Sequence, residues 1–329
     1  MTIKEWLQKK ALSFLGLGKY NGTPGDDRET FINDESATRK MKIREYNVWY
    51  GGDSDELLNF YTRQNTIDYN YEPWYHRNKR SYFWAVSSTE EDIKRTHSGQ
   101  PRNIVDTLVA VIGKPDIKAG PAEMGRDNKV NDNIDHIIRE NNFWKLYTQI
   151  QMPLTFVEGW GCYKINWNLD VSDYPIIQYY KAENVDFIFK SNRLVACIFK
   201  DYYTDGKNKK YLLTETRSLE SVPQENGTVL RNLHIIREAF EVSGEDDVLK
   251  PVKLHDVEQF KEIDKEIVID NFNKLFAVPT IFYEDTNTDN YGRSIFTGKI
   301  DLFDDLDQCL SQTANTVRRS TTVEYFNRI

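Results

Sequence analysis

The sequence predicts an α+β fold: a helical N-terminal region, a central and mostly antiparallel β region, and one long C-terminal helix. Three observations carry this. Apolar residues recur at three- and four-residue steps over residues 104–112 and 134–150. From about residue 160 the pattern changes to short runs of alternating character bounded by turn residues. Near the end, Leu302, Leu306, Cys309, Leu310, Thr313 and Val317 return to helical spacing on one face. With 329 residues, 39% of them apolar and 13% aromatic, the chain can bury a substantial core in one or two domains. Its 29% charged residues and mean hydropathy of −0.65 place much of it at the surface. The pattern divides the chain into 1–36 (amphipathic helix and linker), 37–158 (helical), 159–285 (β-rich) and 286–329 (loop and long helix).

In order, Ile3, Leu7, Ala11 and Phe14 predict an amphipathic helix that stops at Gly16 and Gly18. Its lysines could face a membrane surface, but stable anchoring needs a second signal, so packing on its own domain or on a neighbouring subunit is the plainer reading. Asp53 or Ser54 can cap a short helix from about Asp55, with Glu56 three residues beyond Asp53 as in a capping box. Residues 69–84 interleave aromatics with Arg77, Lys79 and Arg80. That pattern suits base stacking on single strands, but it equally suits a protein interface. Pro101 opens a helix with Ile104, Val105, Leu108, Val109 and Ile112 as its buried face, and Gly113 and Pro115 close it. Asn131 caps the next helix, broken at Asn141-Asn142 and ended near Pro153.

Period two follows, with Tyr163, Ile165 and Trp167 on one strand face. Further strands are expected at 176–180, 185–190, 194–203, 211–216 and 233–242, with a tight turn at Ser191-Asn192. Residues 244–266 are strongly charged and read as an exposed excursion. A strand at 278–282 precedes a polar loop and the last helix, expected over 299–327 and therefore roughly 40 Å long. Asp301, Asp304, Asp305 and Asp307 crowd its start and Arg318, Arg319 and Arg328 its end, the order the helix dipole favours.

The net charge of −8 argues against a general nucleic-acid binder, though acidic walls suit a surface that DNA slides past. Cys162, Cys197 and Cys309 are odd in number and lack CxxC spacing, which predicts thiols in a reducing compartment. No apolar run reaches bilayer length and no signal-peptide core is present, so the chain is expected to stay on the cytoplasmic side of any membrane.

No catalytic or cofactor motif is complete, so no enzyme activity, cofactor or metal is expected. Gly16-Leu17-Gly18-Lys19 lacks the first glycine of a phosphate loop, and Tyr20 replaces its hydroxyl. Asp285, Asn287 and Asp289 are spaced like a calcium loop, but its glycine is displaced to Gly292 and Phe296 stands where the closing glutamate belongs. His76, His97, His136, His234 and His255 are too scattered for a local zinc pair. The Asp301–Asp307 cluster could hold Mg²⁺ for nucleic-acid processing, but complementing the helix dipole explains the same charges.

Several short motifs fall in a telling order. Trp49-Tyr50-Gly51-Gly52-Asp53 runs on to Leu57 and Phe60-Tyr61. His97-Ser98-Gly99-Gln100-Pro101 leads to Ile104-Val105 and then to Gly113-Lys114-Pro115-Asp116-Ile117. Gly159-Trp160-Gly161-Cys162-Tyr163 ends at Ile165, and Gly292-Arg293-Ser294 precedes the acidic helix with Ser311 to Asn315. Together these resemble tailed-bacteriophage portal proteins over roughly residues 45–319.

The resemblance implies a structural protein, a dodecameric ring at one capsid vertex of the virion, assembled in the host cytoplasm. DNA is packaged and ejected through such a ring. The terminase large subunit, head–tail adaptors, the major capsid protein and scaffolding protein are its partners, and no membrane is. It implies a helical wing carrying Trp49, Gly52, Asp53, His97, Gly99 and Pro101, a β-rich wing and clip, and a stem-type terminal helix. On that helix Asp304, Asp307, Gln308, Ser311 and Arg318 are expected to border the channel or a subunit contact. Portal proteins continue past this helix with a channel loop, a kinked helix and usually a crown, so the chain is expected to correspond to the N-terminal and central part of one. A virion adaptor that forms no ring is the alternative within the same setting.

Overall fold

A computed structural model describes residues 27–66, 82–85, 93–117, 128–190, 193–223, 229–243, 248–283 and 291–320. The expected N-terminal helix with Gly16 to Lys19, most of the aromatic–basic stretch before Tyr82, the Ser191-Asn192 turn, Asp285 to Asp289, and the last helix beyond Ser320 lie outside the described residues. The fold is α+β. It forms two compact units that cut across the expected sequential division: one holds residues 1–41 and 114–293, the other residues 42–113 and 294–329.

The first unit is built on two antiparallel sheets. β1 (Trp160–Asn166), β2 (Ile176–Lys181) and β9 (Ala277–Ile281) form the smaller, in the order β2-β1-β9. β3 (Val185–Lys190), β4 (Arg193–Thr204), β5 (Lys210–Pro223), β6 (Val229–Ser243) and β7 (Val248–Val252) follow one another across the larger, and β8 (Glu266–Ile269) also pairs with β6. β3 to β7 each meet their sequence neighbours, a meander of alternating runs.

The expected face of β1 is not its buried one. Cys162 and Lys164 are buried, Tyr163 and Ile165 are half-buried and Trp167 is exposed. A lysine turns inward because its charge is met there: Lys164 Nζ lies 3.1 Å from Glu215. Glu215 also takes Arg217 at 2.8 Å and Arg237 at 2.8 Å. Arg217, on β5, donates to the carbonyls of Ile165 at 2.9 Å and Phe276 at 2.8 Å, tying the two sheets together.

Part of the charged stretch expected as an exposed excursion, residues 254–260, is held against the larger sheet. Leu254, Val257 and Phe260 recur at three-residue steps between the charges and pack on Tyr211, Leu213 and Ala239. Three apolar side chains suffice to hold a mostly charged segment against a sheet.

Helices precede the sheets in this unit. α4 (Asn128–Glu140) ends at Asn141, whose amide donates to Ile137 and Pro175 carbonyls and accepts from the Ile177 N–H at 2.7 Å. The next helical run does not end near Pro153. It passes from α5 (Phe143–Lys145) through a π-helical turn (Leu146–Gln151) into α6 (Met152–Glu158), with Pro153 in the first turn of α6. Gly159 ends it at φ 94°, and a Cβ there would lie 2.8 Å from the Gly292 carbonyl oxygen, so the two backbones cross at glycines.

The second unit is helical. α1 (Asp27–Gly51) enters it at Lys42, and α2 (Ser54–Thr66), α3 (Gln100–Ile112) and α7 (Ile300–Ser320) complete it. Asp53 Oδ1 accepts the N–H groups of Asp55 at 2.8 Å and Glu56 at 3.1 Å, capping α2. Ile43, Tyr46, Trp49, Leu57, Tyr61, Trp84, Val105, Phe296, Ile300 and Phe303 make its core. α3 buries less than its pattern suggests: Pro101 and Val105 are buried, while Ile104, Val111 and Ile112 are exposed. No described helix is long and apolar enough to cross a membrane.

Candidate functional site

The residues singled out in the sequence converge on α7 within the helical unit. α7 carries two periodic stripes. Ile300, Phe303, Asp304, Asp307 and Ser311 share one side and are buried. Leu302, Leu306, Leu310 and Val317 share another, about 110° around the helix at about 100° per residue. All four are exposed, Leu302 by 65%.

The usual assignment of faces is therefore inverted beyond the first turn: acids and a hydroxyl go inward and leucines outward. Asp304, Asp307 and Ser311, expected to border a channel or a subunit contact, are buried within the unit. Gln308 is half-buried and Arg318 is exposed, with Nη2 3.4 Å from Asn315 Oδ1.

The inward turn follows from hydrogen bonding. Residues 82–84 and 93–99 run along α7 without regular structure, so their N–H groups need acceptors. Asp304 Oδ2 accepts the Phe83 N–H at 2.7 Å. Ser311 Oγ accepts the Thr96 N–H at 3.0 Å. Asp307 is fully buried and accepts the Trp84 indole N–H at 3.1 Å, His97 Nδ1 at 2.7 Å and the Ser98 N–H at 2.8 Å. Tyr82 adds a bond from its hydroxyl to Asp301 at 3.1 Å. A carboxylate oxygen can only accept in this contact, which places a proton on His97 Nδ1. His97 Nε2 is buried and has no partner among the described residues.

The motif residues assemble around this hub. Gly52, at φ 72°, faces the imidazole: a Cβ there would lie 3.0 Å from His97 Cδ2. Trp49 is fully buried, 5.6 Å from the His97 ring and 6.0 Å from Phe303 between centroids. Its indole donates to Tyr61, which donates to Glu45 Oε1 at 2.7 Å. Gly99, at φ 68°, precedes α3 and Pro101 opens it. Trp49, Gly52, His97, Asp307 and Ser311 thus belong to one buried polar cluster, although the sequence places them in three separate stretches.

Asp304 sits differently from Asp307. Burial raises its carboxyl to about 6, against the pull of the Phe83 and Trp84 backbone N–H groups, with the charges of Asp307 and Asp305 adding to the rise. Its Oδ1 is buried without a hydrogen bond among the described residues, so a retained proton is its natural occupant.

This arrangement ties the irregular segments to α7 through buried hydrogen bonds. No group of three potential metal ligands comes together among the described residues. The leucine stripe faces outward on α7, as do Asp301, Asp305, Arg318 and Arg319. No protein-family model matches the chain, and no curated protein matches it.

Proposed function

We propose that the chain is a subunit of a tailed-phage portal: a non-catalytic ring at one capsid vertex through which DNA is packaged and ejected. The motor's terminase large subunit and later the head–tail adaptor dock on such a ring, and the major capsid and scaffolding proteins surround it in the virion. The observation that carries this reading is the inverted terminal helix. Leu302, Leu306, Leu310 and Val317 are exposed on a helix whose acids are buried. A periodic apolar face of this kind on a soluble helix calls for a covering surface.

The same unit offers a second, different apolar face at Ile104, Val111 and Ile112 of α3. A head-to-tail ring needs two unlike surfaces on each subunit, so the pair suits closure. The order of the wing-like and stem-like motifs supports the same reading. Acidic Asp301 and Asp305, exposed at the start of α7, would keep phosphates from sticking, and exposed Arg318 and Arg319 would touch them weakly and in a salt-dependent way.

The test is light scattering after size exclusion, with negative-stain images of the same peak. Rings with a central hole are expected. A single-chain mass at every concentration, unchanged when scaffolding and capsid proteins are added, overturns the proposal.

A further inference from the structure

Cys162 and Cys197 are 35 positions apart in the chain, and their sulfurs lie 4.0 Å apart. Cys162 is on β1 of the smaller sheet and Cys197 on β4 of the larger, both in the same compact unit and both 0% exposed. Each strand is held by ladders on both sides, β1 between β2 and β9 and β4 between β3 and β5. The two thiols are therefore presented by rigid, facing elements. Both are free.

We propose that Cys162 and Cys197 are an oxidation site at which a small peroxide closes a cystine between the two sheets. A disulfide needs its sulfurs about 2 Å apart, so the pair must approach by about the same amount again. Facing strands of stacked sheets, about 10 Å apart, are bridged in this way in β-sandwiches. Burial pushes the Cys197 thiol well above its ordinary value, against the pull of Arg217, its ladder partner on β5. At rest Cys197 is therefore a protonated thiol, and reaction waits on local opening that admits the peroxide.

The chemistry balances with hydrogen peroxide as oxidant. One sulfur, as thiolate, attacks a peroxide oxygen; an S–O bond forms, the O–O bond breaks, and the departing hydroxide takes the thiol's proton to become water. The second sulfur then attacks the resulting sulfenic sulfur. The S–S bond forms, the S–O bond breaks, and hydroxide leaves with the second thiol's proton as another water. Two thiols lose two electrons in all, and one peroxide becomes two waters.

The experiment uses the full chain with Cys309→Ser, which removes the exposed thiol on α7. The protein is treated with hydrogen peroxide, quenched, denatured, alkylated and mapped without reduction. A cross-linked peptide pair containing Cys162 and Cys197, separated by dithiothreitol, is expected. The folded oxidised chain should melt several degrees higher, about 5 °C, and return on reduction. Cys162→Ala and Cys197→Ala should each abolish the pair; should either fail to fold, the map of the chain retaining both cysteines decides alone. Full alkylation of both thiols after peroxide, or their conversion to sulfinic acids without the linked peptide, overturns the proposal. Neither result depends on whether the chain forms a ring.

Discussion

His97 donates from Nδ1 to an Asp307 carboxylate oxygen 2.7 Å away, and both side chains are buried. The contact spans 210 positions of sequence and joins a segment without regular structure to the middle of α7. Its weight can be judged by what each partner leaves behind. Asp307→Ala strands three donors, on Trp84, His97 and Ser98, and is expected to destabilise the helical unit by about 3–5 kcal/mol. His97→Ala leaves the carboxylate two donors and a cavity, and should cost about 2 kcal/mol. Denaturant unfolding followed by hydrogen exchange at residues 93–99 checks both. Equal costs would show that the pair, and not the whole set of donors, carries the stability.

Asp304 gives the helical unit an unusual pH response. Its carboxyl, raised to about 6 in the fold, returns to an ordinary value near 4 on unfolding. Below about pH 4 both states hold the proton. Between about 4 and 6 the unfolded chain releases it while the folded one keeps it, so stability falls as pH rises and is flat again above 6. At about 1.4 kcal/mol per pH unit, discounted for partial solvent access, the loss is about 1–2 kcal/mol. Asp304→Asn keeps an acceptor for the Phe83 N–H and removes the slope. Urea midpoints at pH 4.5 and 7 for the two proteins should differ in this sense, and parallel behaviour would refute it.

Glu215 acts in the opposite sense in the β unit. Burial alone would raise its carboxyl, but Lys164, Arg217 and Arg237 outweigh burial and hold it at about 2. Its folded value lies below the unfolded one, so its contribution is complete above about pH 4.5 and is lost as pH falls from there towards 2. Glu215→Gln at neutral pH leaves three buried or half-buried cations facing a neutral amide, at a cost of about 3–5 kcal/mol. Adding Lys164→Met should recover part of the loss by removing one uncompensated charge. Thermal melts at pH 3 and 7 distinguish the variants: Glu215→Gln should lose less on acidification than the parent does.

How much of this was legible in the sequence depends on which force set each element. Strand positions followed from period two: β2, β3 and β4 fall within one residue of their expected bounds, whereas β5 runs on past 216 to Pro223 and β6 already begins at Val229. Gly113 closes α3 with its N–H on the Val109 carbonyl, as its place after an apolar run implied. The buried face of α7 differs from the one its leucine spacing marks. Asp301, Asp304, Asp307 and Ser311 recur at three- and four-residue steps just as the leucines do, and that second stripe was the available signal. Its meaning was hidden because the N–H groups that need those oxygens lie some 210 positions away in a segment without periodicity. Lys164 was hidden for a related reason: an inward lysine becomes legible only once Glu215, on another sheet, is known to face it. The approach of Cys162 to Cys197 likewise depends on how two sheets stack, which no local pattern encodes.

The leucine stripe separates folding from assembly. Leu306 and Leu310 are exposed within the chain, so Leu306→Asp or Leu310→Asp should change the stability of the isolated chain by no more than about 0.5 kcal/mol. Phe303, one position from the stripe's edge but buried in the core, serves as the contrast, since Phe303→Asp places a charge among apolar side chains and should unfold the helical unit. If α7 is covered by neighbouring copies, each leucine variant places a carboxylate in that contact and should reduce the assembled fraction at least tenfold, the equivalent of about 1.4 kcal/mol. Light scattering at matched concentrations measures the assembly, and denaturant midpoints of the dissociated chains measure the fold. Leucine variants that assemble like the parent would show that this face is turned to something other than another subunit.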